Sequence, residues 1–247
     1  MAKSSGLGGN FYVAQFDLSG DVGAVQTVSS KRAVLDVTAI DKSAFERILG
    51  QKDGEISFTS FWDTAAGAEH LALSTALTTD RIVTYAVGTT LGADAASLIG
   101  KQIDYAPTRG QDGSLVATVQ TLGNGQSFDW GYLLTTGKQT FAGAASTTSI
   151  DEYGGTSTAF GAAAYLHAFS IASGTATVTV QDSASAGSGF ANLTGMGFTN
   201  VTAATSQRIQ GATNATVRRY IRLDITGTFT NLVCAVSFRR YLEDPST

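Results

Sequence analysis

Thr175-Ala176-Thr177-Val178-Thr179-Val180-Gln181 sets Ala176, Val178 and Val180 in strict alternation with hydroxyl and amide side chains. A two-residue period puts the apolar set on one face of an extended chain and the polar set on the other, the pattern of a strand half-buried in an antiparallel sheet. The period recurs on both sides of this stretch. Tyr165, His167, Phe169 and Ile171 share one face, and Ile221, Leu223 and Ile225 alternate with Tyr220, Arg222 and Asp224. Leu232, Cys234, Val236 and Phe238 share another. Residues 161–247 therefore read as an antiparallel β-sandwich domain.

Upstream, 138–160 has no sustained period and many small polar residues, so it is expected to be a linker. The first 137 residues read as a second β module. Strands are expected over 11–18, 34–40 and 55–62, with a bulge near Ser60. A loop is expected over 19–33, where apolar anchors are few, and residues 1–10 read as a flexible arm. Between 42 and 49, Ser43 and Glu46 have capping-box spacing, Gly50 stands at a C-cap position, and Phe45, Ile48 and Leu49 fall on one helical face. That spacing predicts a short helix. An Ala-rich run over 65–77 predicts another. Asp112-Gly113 and Asn124-Gly125 are hairpin signals, so 101–134 is expected to form a three-stranded meander with Pro107 at an edge. The predicted fold is mainly β: an N-terminal β-sandwich or barrel module with one short helix, followed by a C-terminal antiparallel β-sandwich.

The chain has 247 residues, formal charge −4 and only 15% charged residues. Residues 1–137 hold 9 Lys/Arg against 14 Asp/Glu, whereas 161–247 hold 6 against 4, so the acidic half is the N-terminal one. An acidic surface argues against a protein that grips phosphates. One cysteine, Cys234, excludes an intrachain disulfide, and no Cys/His spacing suits a zinc site. The N-terminus lacks the apolar run of a signal peptide and no stretch is long and apolar enough to span a membrane, which implies a soluble protein made in the cytoplasm.

Little here points to catalysis. The histidines are His70, expected at the surface, and His167, in register with core aromatics. Cys234 lies on an apolar strand face, which favours an inert thiol. Asp151-Glu152 is a lone acidic pair, and no nucleophile, base and orienter can be assembled. No catalytic residue, cofactor or metal is expected. Arg218, Arg222 and Arg239 would form a surface basic strip if their strands are neighbours.

Leu35-Asp36-Val37-Thr38-Ala39-Ile40-Asp41-Lys42-Ser43-Ala44-Phe45-Glu46-Arg47-Ile48-Leu49-Gly50-Gln51-Lys52-Asp53-Gly54-Glu55-Ile56-Ser57-Phe58-Thr59-Ser60-Phe61-Trp62 resembles the strand, short helix, Asp-Gly turn and strand of the major tail tube proteins of long-tailed, non-contractile siphophages. Asp182-Ser183, Phe190-Ala191-Asn192-Leu193 and Val217-Arg218-Arg219-Tyr220 resemble the β-sandwich domains appended to such proteins. The resemblance implies a virion protein whose partners are copies of itself, in hexameric rings that stack into a tube, together with the terminator, tape measure and distal tail proteins. DNA would pass through the tube without specific binding, and no membrane is involved. Phe11, Tyr12, Asp21, Lys31, Arg32, Phe45 and Trp62 are the candidate subunit contacts. The arm 1–10 and loop 19–33 are expected to order on stacking. Two other readings compete: a carbohydrate-binding sandwich presenting Trp130, Tyr132 or Phe190 to a sugar, and a virion decoration protein.

Overall fold

A computed structural model describes residues 8–75, 78–126 and 128–245. The strands are β1 (Asn10–Val13), β2 (Phe16–Asp17), β3 (Val22–Asp36), β4 (Arg47–Phe61), β5 (Arg81–Ala86), β6 (Asp94–Arg109), β7 (Leu115–Gly123) and β8 (Asp129–Leu133) in the first half. The second half adds β9 (Gln139–Phe141), β10 (Ala145–Ser146), β11 (Ser157–Thr158), β12 (Ala162–Ser183), β13 (Ala191–Gly197), β14 (Thr205–Gln210), β15 (Val217–Arg218) and β16 (Tyr220–Arg240). Among the described residues one helix, α1 (Glu69–Leu73), lies between β4 and β5. The protein is mainly β, and every strand pair is antiparallel.

Two apolar cores organise these strands. One gathers Phe11, Ile56, Phe58, Val83, Leu98, Val119 and Phe128 from the first half. The other gathers Leu166, Val178, Met196, Leu223, Val236 and Phe238 from the second. The alternating stretch 175–181 behaves as its period dictates: Ala176, Val178 and Val180 are fully buried. The spine is the long β12–β16 pair, in register from Ala162↔Arg240 to Ser183↔Tyr220 with one irregularity between Ala168 and Ser170. β8 carries the sheet across: its Trp130 stands opposite Ala96 on β6 and its Tyr132 opposite Phe238 on β16. At Gly131 a Cβ would collide with the Phe238 carbonyl, so the crossing demands glycine.

A buried polar chain locks the two halves. His167 on β12 bonds Ala14 O through Nδ1 at 2.6 Å and Thr84 Oγ1 through Nε2 at 2.8 Å. A carbonyl only accepts, so Nδ1 carries the proton and Nε2 accepts from Thr84. Ser97 then donates to Thr84 at 2.9 Å, and Ser237 to Ser97 at 2.7 Å. Burial depresses the His167 pKa to about 4, against smaller opposing contributions from the Ala14 bond and Asp17. His167 is thus the hydrogen-bonded buried histidine its register suggests.

Several sequence expectations fail, each for a physical reason. Residues 42–49 are not helical: 37–46 is the loop of a β3–β4 hairpin, with Leu35 opposite Ile48 and Val34 opposite Leu49. So short a helix is marginal unless its apolar stripe is buried, and here Phe45, Ile48 and Leu49 are 69%, 51% and 61% exposed. The Ser43–Glu46 pattern is replaced by Thr38, whose Oγ1 accepts from Glu46 N at 2.8 Å. The expected loop 19–33 is mostly β3. Register shifts at Val22/Ala24, Val25/Thr27 and Arg32/Val34 scramble its two-residue period, which hides the strand from a periodicity reading. The irregularity expected near Ser60 belongs to this partner strand. Residues 11–18 form two short strands joined at Ala14, which adopts φ 50°. The Asp112-Gly113 turn closes β6 onto β7 as expected. After Asn124-Gly125, however, β8 pairs with β6 and β16 and not with β7, so no meander forms. The expected linker is sewn down: β9 and β10 pair with β16, and β11 with β15. Of the arm 1–10, residues 1–7 lie outside the described residues.

Candidate self-assembly surface

Within the 14-stranded sheet, β3, β4, β7 and the distal half of β6 lie side by side in that order and form a four-stranded flank. Both of its edges are open among the described residues. β3 pairs with β4 alone. Along β6, residues 95–100 pair with β5 on one side, but from Lys101 to Arg109 only β7 remains, on the other. Each open edge presents unpaired backbone N–H and C=O groups, which invite another strand. The bulges of β3 and Pro107 on β6 restrict the register such a strand can take.

The two faces of this sheet differ. Ile56, Phe58 and Val119 point into the first core, while Glu55, Ser57 and Thr59 on β4 and Thr118 and Gln120 on β7 point away from it. The outer face is mostly hydroxyls, amides and paired charges, with Leu122 opposite Glu55 and an exposed Ile103 on the β6 edge. Gln120 donates to Glu55 at 2.8 Å and Gln26 to Thr59 at 2.7 Å. Its lysines are held by carboxylates, Lys31 by Glu55 at 3.3 Å and Lys101 by Asp80 at 2.9 Å. Asp104 adds an exposed negative charge.

Beyond Glu55 the β3–β4 ribbon continues with no third strand, since β7 ends its pairing there. Residues 47–54 carry it roughly 25 Å further at the rise of a strand. Its tip is apolar on both faces, because Ile48 and Leu49, adjacent and therefore on opposite faces, are both about half exposed or more. Val37, Phe45 and a fully exposed Ile40 occupy the loop.

The opposite end of the sheet is capped by α1. Trp62 lies 4.2 Å from the His70 ring, and His70 Nδ1 is 2.9 Å from Tyr105 Oη. The Tyr105 hydroxyl is pushed up to about 12 by burial and by Glu69. Glu69 is buried, accepts from Ser60 at 3.0 Å, and has its pKa raised by desolvation. Asp21 accepts from Glu69 N at 3.1 Å, which ties the start of β3 to the helix. Around this stack, Phe61, Leu71 and Leu115 are exposed.

No family model matches this chain, nor does any curated protein. Two solved structures show a loose likeness. One is the Dit (gp 19.1) protein of SPP1, described as a paradigm of hub adsorption apparatus in phages infecting Gram-positive hosts, at 10% identity and TM-score 0.32 over 94% of this chain and 99% of that one. The other is the phage p2 baseplate in its activated conformation with Sr, at 8% identity and TM-score 0.35 over 94% and 98%.

The sequence-derived candidates disperse. Phe11 and Tyr12 are core residues, 2% and 0% exposed, and offer nothing to a neighbour. Asp21 and Trp62 lie at the capped end, Lys31 and Arg32 on the ribbon, and Phe45 at its tip. The basic strip does not form. Arg218 pairs with Asp182 at 2.7 Å, Arg222 packs over Phe190 at 4.3 Å, and Arg239 stands near the far end of β16. Trp130 and Tyr132 are likewise remote from Phe190, so the three aromatics build no single platform. Cys234 is buried, with burial pushing its thiol up to about 12. The open β6 edge was invisible to sequence reasoning, because the two halves of one continuous strand have different partners.

Proposed function

We propose that the chain is a structural subunit of a phage tail that closes into a ring by pairing the β3 edge of one copy with the 101–109 edge of the next. The observation that carries this reading is a run of four adjacent strands whose outer edges are both open, β3 along its length and β6 over 101–109. β3 runs antiparallel to β6 across the order β3-β4-β7-β6, so a neighbour's β6 meets β3 in the antiparallel sense that the rest of the sheet uses. Each join is heterologous and repeats, which generates a closed ring when the rotation closes. Six copies would enclose roughly two dozen strands, wider than the 16- to 18-stranded barrels that already leave an aqueous channel.

The uncored face would then line the channel. Its hydroxyls, amides and carboxylate-held lysines give a polyanion no counterion-releasing contact, so DNA slides without being gripped. The second β module would sit outside the wall. The segment 35–62, whose sequence resembles tail tube proteins, holds neither the short helix nor the Asp-Gly turn of that pattern, since Asp53 and Gly54 lie within β4. The stacking of rings into a tube in the virion, with terminator, tape measure and distal tail proteins at its ends, rests instead on the open sheet edges.

Light scattering and negative-stain microscopy of concentrated protein test this. Rings with a central hole, stacked into tubes, are expected. Single rings that never stack would assign the chain to one ring of the tail and not to its tube, and a monomer at every concentration would overturn the proposal.

A further inference from the structure

The chain holds six asparagines, and only Asn124 is followed by glycine; the others precede Phe11, Leu193, Val201, Ala215 and Leu232. That neighbour matters because a backbone nitrogen reaches the preceding side-chain amide most readily where no Cβ stands in its path and the backbone turns freely. Asn124 and Gly125 are both exposed, Gly125 adopts φ 69°, and nothing lies within 4 Å of the position its Cβ would take. Gly125 and Gln126 line an open cleft of about 1000 Å³, so water reaches the pair. The Asn124 carboxamide is gripped on one side. Its Nδ2 donates to both oxygens of Asp80, at 3.1 and 3.0 Å, and Lys101 Nζ meets the same carboxylate at 2.9 Å. The Lys101 bond first, and the Asn124 bond after it, hold the Asp80 carboxyl below the usual carboxylate range, so the grip is anionic at neutral pH.

We propose that Asn124 is a self-modifying site, converted without an enzyme to aspartate or isoaspartate at a rate that the Asp80 grip restrains. The Gly125 backbone nitrogen loses its proton to solvent and attacks Asn124 Cγ. The Cγ–Nδ2 bond breaks, Nδ2 takes up a proton, and ammonia leaves a cyclic imide. Water then opens either carbonyl of that ring, giving the aspartyl or the isoaspartyl chain. Asp80 slows the first step in two ways. The carboxamide must leave its two hydrogen bonds to turn Cγ toward Gly125, and a carboxylate beside the reacting carbon opposes an incoming anionic nitrogen. Lys101 does not compete as the nucleophile, because it is an exposed ammonium paired with Asp80 and has no free electron pair. The change matters to the fold. It replaces a donor to Asp80 by a second carboxylate, so the tie from 124 to the segment before β5 opens and both anions contend for Lys101, the first residue of the open β6 edge. The isoaspartyl product also lengthens the backbone between β7 and β8, the strand that crosses to the second core. This inference needs only the single chain and stands apart from the ring reading.

The test incubates the full-length protein at neutral and mildly alkaline pH and maps its peptides by mass spectrometry over time. Conversion should appear at Asn124 well ahead of the other five asparagines, run faster at the higher pH, and give isoaspartate as well as aspartate. Asp80→Ala should convert at least threefold faster than wild type, and Gly125→Ala at least threefold slower. Lys101→Met keeps the grip and should stay within twofold of wild type, with circular dichroism confirming that all three variants are folded. Asn124→Asp should lower the melting midpoint by a few degrees, as the modified chain does. An Asn124 that stays intact while the free peptide over 121–126 converts would overturn the proposal, as would conversion no faster than at the other asparagines. An amide linking Lys101 to Asn124 would replace hydrolysis by cross-linking and overturn it too. Asp80→Ala at the wild-type rate, or Lys101→Met as fast as Asp80→Ala, would remove the restraining role of Asp80.

Discussion

Leu35 on β3 stands directly opposite Ile48 on β4, and both are about half exposed, 49% and 51%. A cross-strand apolar pair normally stabilises a sheet by covering its own face. Here it covers nothing, so it adds little to the stability of the single chain. Replacing both with Thr should therefore shift the monomer's melting temperature by no more than a degree or two, at well under 1 kcal/mol. Assembly should fall sharply in the same variant. Parallel melts and sedimentation would separate the two effects.

His167 makes stability depend on pH. Its folded pKa is about 4 against an ordinary value of 6.5, because burial disfavours the imidazolium. As pH falls from 6.5 the unfolded chain takes up the proton first. The stabilisation is complete above about 6.5, is lost progressively down to about 4, and does not fall further from this residue below that. The full swing is about 3 kcal/mol. Urea titrations between pH 4 and 7 should show this slope in the wild type and lose it in His167→Gln.

Arg240 and Glu152 form a buried ion pair at 2.7 Å, with side chains only 2% and 4% exposed. Arg240 also donates to the Val217, Arg218 and Arg219 carbonyls, which pins the start of β16 under its own end. Burial raises the Glu152 pKa while Arg240 opposes that shift. Arg240→Ala leaves a buried carboxyl and three acceptors unpaired, so it should cost about 3 to 5 kcal/mol by chemical denaturation. Arg240→Met/Glu152→Leu should recover part of that loss, since the orphaned charge is gone.

At Gly131 the sheet passes from β6 to β16, and a methyl group there meets the Phe238 backbone. Gly131→Ala should destabilise by more than ~2 kcal/mol and separate the unfolding of the two cores. Gly143, with nothing within 4 Å of its Cβ position, is the control and should change stability little.

The sequence exposed the fold class because the longest strands keep their period. Ala176, Val178 and Val180 are buried together, as are Leu223 and Ile225. It hid β3 because three bulges break the alternation, so Val22, Val25 and Val28 fall out of step. It suggested a helix at 42–49 because Phe45, Ile48 and Leu49 satisfy helical and hairpin spacings alike, and only the absence of anything to pack against decides between them. The assembly surface was half legible: Phe45, Lys31 and Arg32 lie on the ribbon, whereas Phe11 and Tyr12 were drawn inward by β5 and the aromatic core. An open edge is a property of pairing, and no residue type announces it.

Amide hydrogen exchange along β3 tests the central claim most directly. The β3 amides that do not bond β4 should exchange freely in dilute monomer and slow by orders of magnitude once rings form, together with amides of 101–109 on β6. Protection of those amides already in the monomer, or no change on assembly, would contradict edge-to-edge closure.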